Sequence, residues 1–185
     1  MFVNSMKING IIHMKKILTL MLIMLTSKSF SQTRPSVVQS VDLKRYTGVW
    51  YEIARLPNPF EKNLKCVTAT YTLRDDGKIT VLNKGHKISD PEVVNSSKGV
   101  AWVPDKKVPA KLKVQFFWPF SGNYWIIHLD KDYRYVLVGD PSFKYLWILS
   151  REMVMDEATY KMLLDKAISE GFDVKPIIKV EQDCK

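Results

Sequence analysis

Few residues of this 185-residue chain are equipped for covalent chemistry. It holds three His (His13, His86 and His128) and two Cys (Cys66 and Cys184). No Ser occupies a Gly-x-Ser-x-Gly elbow. No pair of His, and no Cys with a nearby His, has zinc-ligand spacing, so neither a metal nor another cofactor is expected. A catalytic reading would need His86 or His128 beside a nucleophile inside a cavity. Three other positions draw attention because polar side chains sit on apolar strand faces. Glu52 shares its face with Trp50 and Ala54, Asn83 with Ile79 and Val81, and His128 with Tyr124 and Ile126. Burying an unpaired carboxylate is costly. These groups therefore pair with one another, lie at a rim, or face a water-accessible cavity. In the last case they would anchor the polar part of a ligand, and the expected activity is binding rather than catalysis.

Those faces are created by strands. From Val41 to Arg151 short alternating segments are separated by turns: Trp50–Ala54, Cys66–Leu73, Ile79–Lys84, Gly99–Val103, Leu112–Phe117, Tyr124–Asp130, Tyr135–Gly139 and Tyr145–Ser150. Asp75-Asp76-Gly77 is a hairpin turn signal. Successive strand residues point to opposite faces. In the fifth segment Lys111, Lys113 and Gln115 alternate with Leu112, Val114 and Phe116. In the second, Thr68 and Thr70 alternate with Val67, Ala69, Tyr71 and Leu73. One wet face and one apolar face per strand imply a closed barrel or a sandwich. An eight-stranded barrel is either just filled by side chains or holds one small ligand. A helix follows, capped by Asp156 and ended by Gly171, with Tyr160, Leu163, Leu164, Ala167 and Ile168 on one stripe for docking outside the sheet. A last short strand, Ile177–Val180, leads to Cys184.

Residues 1–31 read as a secretory signal peptide. Lys15 and Lys16 precede the apolar run Ile17–Leu25, and Ser29-Phe30-Ser31 ends with small residues two apart. The run is short for a membrane span, which takes about 20 residues. Met14 is an alternative start. Cleavage after Ser31 leaves residues 32–185 as one exported domain, periplasmic or secreted, with no Cys near the cut to carry a lipid anchor. The leader removes four Lys and no acid from the 28 Lys plus Arg, against 19 Asp plus Glu, so the net charge falls from +9 to +5. That mild excess, with no recognition motif, gives no support to nucleic-acid binding. Two Cys in an exported chain suggest a disulfide, with only one pairing available.

The segment Gly48-Val49-Trp50-Tyr51-Glu52-Ile53-Ala54-Arg55 resembles the first signature of the lipocalin family, a Gly-x-Trp opening the first strand. Asp130-Lys131-Asp132-Tyr133 resembles the second, and Arg151, ending Leu146-Trp147-Ile148-Leu149-Ser150-Arg151, the third. The resemblance runs from about Asp42 to Asp183, and Val67–Tyr71 and Val81–Gly85 place it nearest the bacterial lipocalins and apolipoprotein D. It implies an all-β fold: an eight-stranded antiparallel up-and-down barrel with one C-terminal α-helix packed outside. Gly48, Trp50, Asp130, Tyr133 and Arg151 become structural residues of its closed end, with Arg151 across Trp50. The resemblance also implies a Cys66–Cys184 disulfide. It implies as ligand contacts Tyr71, Phe116, Tyr124 and Trp147. Alternation separately puts the first three inside, and Trp147 shares the parity of Leu149 and Arg151. Glu52, Asn83 and His128 complete the expected ligand-binding set.

The implied ligand is a small hydrophobic or amphiphilic molecule such as a fatty acid or lysophospholipid, carried or stored in cell-envelope lipid maintenance by a monomer or homodimer. Bacterial members of the family carry a lipid anchor that this chain lacks the Cys to form. Leu56-Pro57-Asn58-Pro59-Phe60 and Phe117-Trp118-Pro119-Phe120 are expected to frame the mouth. The second either packs on itself or offers apolar surface to a membrane or a second copy. The rival functions are a lipocalin-like enzyme acting on a lipid and a membrane-interaction protein whose barrel is filled.

Overall fold

The computed structural model describes residues 34–184; the expected leader and its cleavage site lie outside them. The first element is one helical turn, α1 (Leu43–Tyr46). Asp42 starts it, its Oδ1 accepting from the N–H groups of Lys44 (2.9 Å) and Arg45 (3.2 Å). Eight strands follow: β1 (Gly48–Arg55), β2 (Leu64–Leu73), β3 (Ile79–Lys87), β4 (Asp90–Trp102), β5 (Lys111–Phe117), β6 (Phe120–Leu129), β7 (Tyr135–Gly139) and β8 (Leu146–Ser150). Each pairs antiparallel with the next, and β1 pairs with both β2 and β8. The sheet is therefore closed into an up-and-down barrel, and the sandwich alternative is excluded. Helix α2 (Glu157–Ser169) comes after the barrel, and a two-residue strand, β9 (Ile178–Lys179), adds to β1.

Apolar residues form two layers, and β7 shows how alternation feeds both. Val136 and Val138 enter the barrel interior with Trp50, Ile79 and Ile126. Leu137 faces outward, where Ile127, Leu146 and Ile148 receive Tyr160, Leu163 and Ala167 of α2. Asp156 caps α2 through Oδ1, which accepts from Thr159 N–H (2.9 Å), and Gly171, at φ 99°, ends it. Ile168, expected on the docking stripe, is instead exposed, since α2 turns it past the edge of the outer layer.

Two β-bulges correct the expected faces. An extra residue on one strand shifts the inward parity by one. The irregularity between Glu52 and Ala54 sends Ala54 to the layer beneath α2, away from the face of Trp50. That between Ile126 and His128 does the same in β6, so Leu129 joins the interior instead of His128. His128 stacks on Tyr135, ring centroids 6.1 Å apart, and takes no part in lining the cavity. Strands β3 and β4 are longer than expected. Their hairpin runs beyond the barrel, and the exposed stretch Asp90–Lys98 has no core face to impose alternation.

The expected structural residues close one end. Gly48 has φ 97°, a conformation that disfavours any side chain, and a Cβ there would lie 3.2 Å from Arg151 Nη1. The Arg151 guanidinium lies 3.9 Å from the centre of the buried Trp50 ring. Its Nη1 donates to Val49 O (2.7 Å), its Nη2 to Thr47 O (2.8 Å) and Arg45 O (3.0 Å), and its Nε to Tyr133 O (3.3 Å). Asp130 Oδ2 accepts from Asp132 N–H, Arg134 N–H and Arg134 Nε, shaping the turn that carries Tyr133 at φ 61°. The Tyr133 hydroxyl accepts from Asp42 N–H at 2.8 Å, tying that turn to α1.

Along one seam the barrel needs a filler. Pairing of β1 with β2 stops at Tyr51 and Thr68, and β2 bends at Cys66, whose φ is 49°. The C-terminal segment occupies the gap. Val180 N–H donates to Ile53 O (2.9 Å), and Cys66 N–H donates to Glu181 O (2.7 Å). Gln182 Nε2 donates to Glu52 O (2.8 Å) and Val67 O (2.9 Å), bridging the splayed strands. The expected disulfide, Cys66–Cys184, fastens this strap.

Candidate functional site

The barrel is hollow. A cavity of about 780 Å³ runs from its open half, where Val67, Asn83, Val114, Phe116 and Trp147 form the walls, out between the β3–β4 and β5–β6 hairpins, where Val94, Ser96, Phe117 and Phe120 border it. A narrower pocket of about 80 Å³ reaches toward the closed end and shares those five residues and Glu61 with the larger one. Its own lining includes Ile79, Val81, Ala101, Leu112 and Leu149, all buried and apolar. Side chains thus fill the floor but not the upper part. The combined volume falls in the range of small-molecule sites, roughly 300–1,000 Å³.

Six of the seven expected ligand residues meet at this cavity: Glu52, Tyr71, Asn83, Phe116, Tyr124 and Trp147. His128 does not. Phe116 reaches inward over β4 because Gly99 leaves room: a Cβ there would fall 2.7 Å from Gln115 O and 2.8 Å from the Phe116 ring. Trp147 is fixed from two sides. Its ring stacks on Tyr145, centroids 5.9 Å apart, and its Nε1 donates to Glu61 Oε2 at 3.0 Å. The Asn83 amide is different. Its Oδ1 is buried and has no partner among the described residues, leaving an acceptor that a ligand hydroxyl or N–H can satisfy.

The Glu52 carboxylate at the wall is already paired. Arg55 Nη1 donates to Glu52 Oε1 at 2.6 Å, and both side chains are buried. Arg55 Nη2 donates to Glu61 O (2.7 Å) and Leu64 O (3.1 Å). Burial, then the nearby Glu61 carboxylate, pushes Glu52 well above the ordinary carboxylate value, with Arg55 pulling against them. Arg55 and Glu61 were not foreseen as site residues. Glu61 lies in the β1–β2 loop, which folds back because Asn58 Oδ1 accepts from the N–H groups of Phe60 (3.1 Å) and Glu61 (3.0 Å). The Asn58-x-x-Glu61 spacing was the available signal. Tyr46, the last residue of α1, also reaches the cavity floor and was not foreseen.

The mouth carries exposed aromatic side chains. Phe117, Trp118 and Phe120 are 72%, 86% and 77% exposed at the β5–β6 tip, and Phe60 is 71% exposed on the β1–β2 loop. The tip does not pack on itself. Phe60, Phe117 and Phe120 also border the cavity opening, as does Lys84.

Comparison with known proteins gives consistent matches. Residues 41–182 match the family model described as a lipocalin-like domain. The chain is 47% identical over 147 residues to outer membrane lipoprotein Blc of Escherichia coli K12, covering 80% of this chain and 82% of that protein. It is 35% identical over 156 residues to apolipoprotein D of Mus musculus, covering 80% of each. Among solved structures, insecticyanin from the tobacco hornworm Manduca sexta superposes with a TM-score of 0.62 at 25% identity, covering 80% of this chain and 84% of that one.

Proposed function

The chain belongs to the lipocalin family, and on that premise we propose that it binds one small amphiphile, a fatty acid or lysophospholipid, for carriage or storage. The observation that carries this reading is the cavity of about 780 Å³, walled by Val67, Val114, Phe116 and Trp147 and open at one end. The apolar chain enters first and lies among the aliphatic residues below Phe116. The head stays near the opening, where Lys84, Asn83 and Glu61 supply polar groups. Each buried methylene contributes about 0.8 kcal/mol, so a chain of about ten carbons supports micromolar affinity after ordering costs.

The same reading gives the exposed rim a use. Phe60, Phe117 and Phe120 border the opening with the exposed Trp118 beside them at the β5–β6 tip, and an exposed apolar rim of this kind suits contact with a lipid surface. Transfer of an insoluble ligand is helped when the opening meets the membrane directly. The reading includes export through the leader, residues 1–31, to the periplasm or beyond, and service in cell-envelope lipid maintenance.

Titration with a fluorescent fatty acid tests it. Saturable, one-to-one quenching of tryptophan emission is expected, weakened strongly in Trp147→Phe with the fold intact. Absence of saturable binding by the wild-type protein would refute the proposal.

A further inference from the structure

Three phenols meet at the closed end of the cavity. Tyr124 Oη lies 2.7 Å from Tyr46 Oη and 3.0 Å from Tyr71 Oη. Each hydroxyl carries one proton to donate. Two contacts use two of the three protons, whichever way the chain of bonds runs. One O–H is therefore left over, and these hydroxyls make no other hydrogen bond among the described residues. Ile79, Val81, Ala101, Leu112 and Leu149 line the same pocket, and none of its polar side chains, Glu52, Glu61, Thr68 or Asn83, is hydrogen-bonded to the phenols. Burial, the largest influence on each, holds all three phenols above the ordinary tyrosine value, so they remain protonated donors at physiological pH.

We propose that the spare hydroxyl marks a second polar subsite, at the deep end of the cavity, that takes a neutral oxygen at the buried end of the ligand. The ligand class is then a lipid bearing a ketone, aldehyde or hydroxyl remote from its head, rather than one ending in plain hydrocarbon. A carboxylate fits the subsite poorly. Buried charge needs a counter-ion, and the two guanidinium groups of this region are committed. Arg55 is held by Glu52 and two backbone carbonyls, and Arg151 by backbone carbonyls behind Trp50. A neutral oxygen only has to accept, and without one the buried O–H is left unsatisfied, which is unfavourable. This inference rests on the ligand-binding reading of the cavity given above.

The test compares hexadecanoic acid with its analogue carrying a ketone on the penultimate carbon, by calorimetric titration. The proteins are the wild type and the triple variant Tyr46→Phe, Tyr71→Phe, Tyr124→Phe, which keeps the rings and removes every hydroxyl. The ratio of the two dissociation constants is expected to favour the ketone about tenfold more in the wild type than in the variant. Binding of both acids with the same ratio in both proteins would overturn this inference and leave the carrier reading standing. Failure of the wild type to bind either acid would overturn both. Infrared spectroscopy of the wild-type complex gives a measurement independent of the variant's folding. The ketone stretch is expected below its frequency in alkane solvent, and an unshifted stretch would overturn the subsite.

Discussion

Removing the Cys66–Cys184 bridge should destabilise the protein by up to ~5 kcal/mol. The two residues are 118 positions apart, so the bridge closes a loop that includes nearly the whole barrel. In the loop-closure treatment, a loop of that length lowers the entropy of the unfolded chain by an amount corresponding to about 5 kcal/mol at room temperature. For a domain of this size that translates into a fall in Tm of about 10–20 °C. The strap remains pinned by backbone bonds at Val180 and Glu181 and by Gln182, so the native fold should persist after reduction. The assay is thermal melting followed by near-ultraviolet circular dichroism, for the wild type with and without reductant and for Cys66→Ala, Cys184→Ala. Reductant should lower the wild-type Tm and leave the double variant unchanged. If the double variant melts within about 2 °C of the oxidised wild type, the bridge is not restraining the unfolded chain and the reasoning fails.

Trp50→Ala should cost about 3–5 kcal/mol, because it removes a fully buried ring and the surface on which Arg151 lies; chemical denaturation measures this directly, and a wild-type midpoint would refute its role at the closed end. Asp130 supplies the pH dependence. Burial pushes its carboxyl up, but hydrogen bonds from the Arg134 side chain and backbone and the Asp132 N–H outweigh that and hold it below the ordinary value. A depressed folded value adds stability above the unfolded value, near 4, and loses it as pH falls through the folded value. Asp130→Ala should therefore lower the Tm at pH 7 by more than at pH 2.5, whereas an equal loss at both would argue that its charge is irrelevant.

What the sequence made legible was whatever two-residue alternation reports. In β5, Leu112, Val114 and Phe116 stand opposite Lys111, Lys113 and Gln115, and the barrel wall follows from such patterns. Bulges are invisible to that reading, because one extra residue reverses every later side chain. This is why Ala54 and His128 lie outside while Glu52 and Tyr124 lie inside. The β3–β4 extension was hidden because both of its faces are solvated past the barrel rim. Tyr46 escaped because four helical residues are too few to show a period, although Asp42 before Leu43 was a usable cap signal. Glu61 escaped because loops have no period at all, and only the Asn58 turn brings it back over the cavity.

In the proposed carrier function the ligand's chain lies inside the barrel, between Phe116 and Trp147. A crystal structure with a fatty acid brominated in mid-chain tests it most directly. An anomalous bromine peak is expected within the cavity, in van der Waals contact with those two rings. A peak confined to the outer surface, with the cavity unchanged, would contradict it.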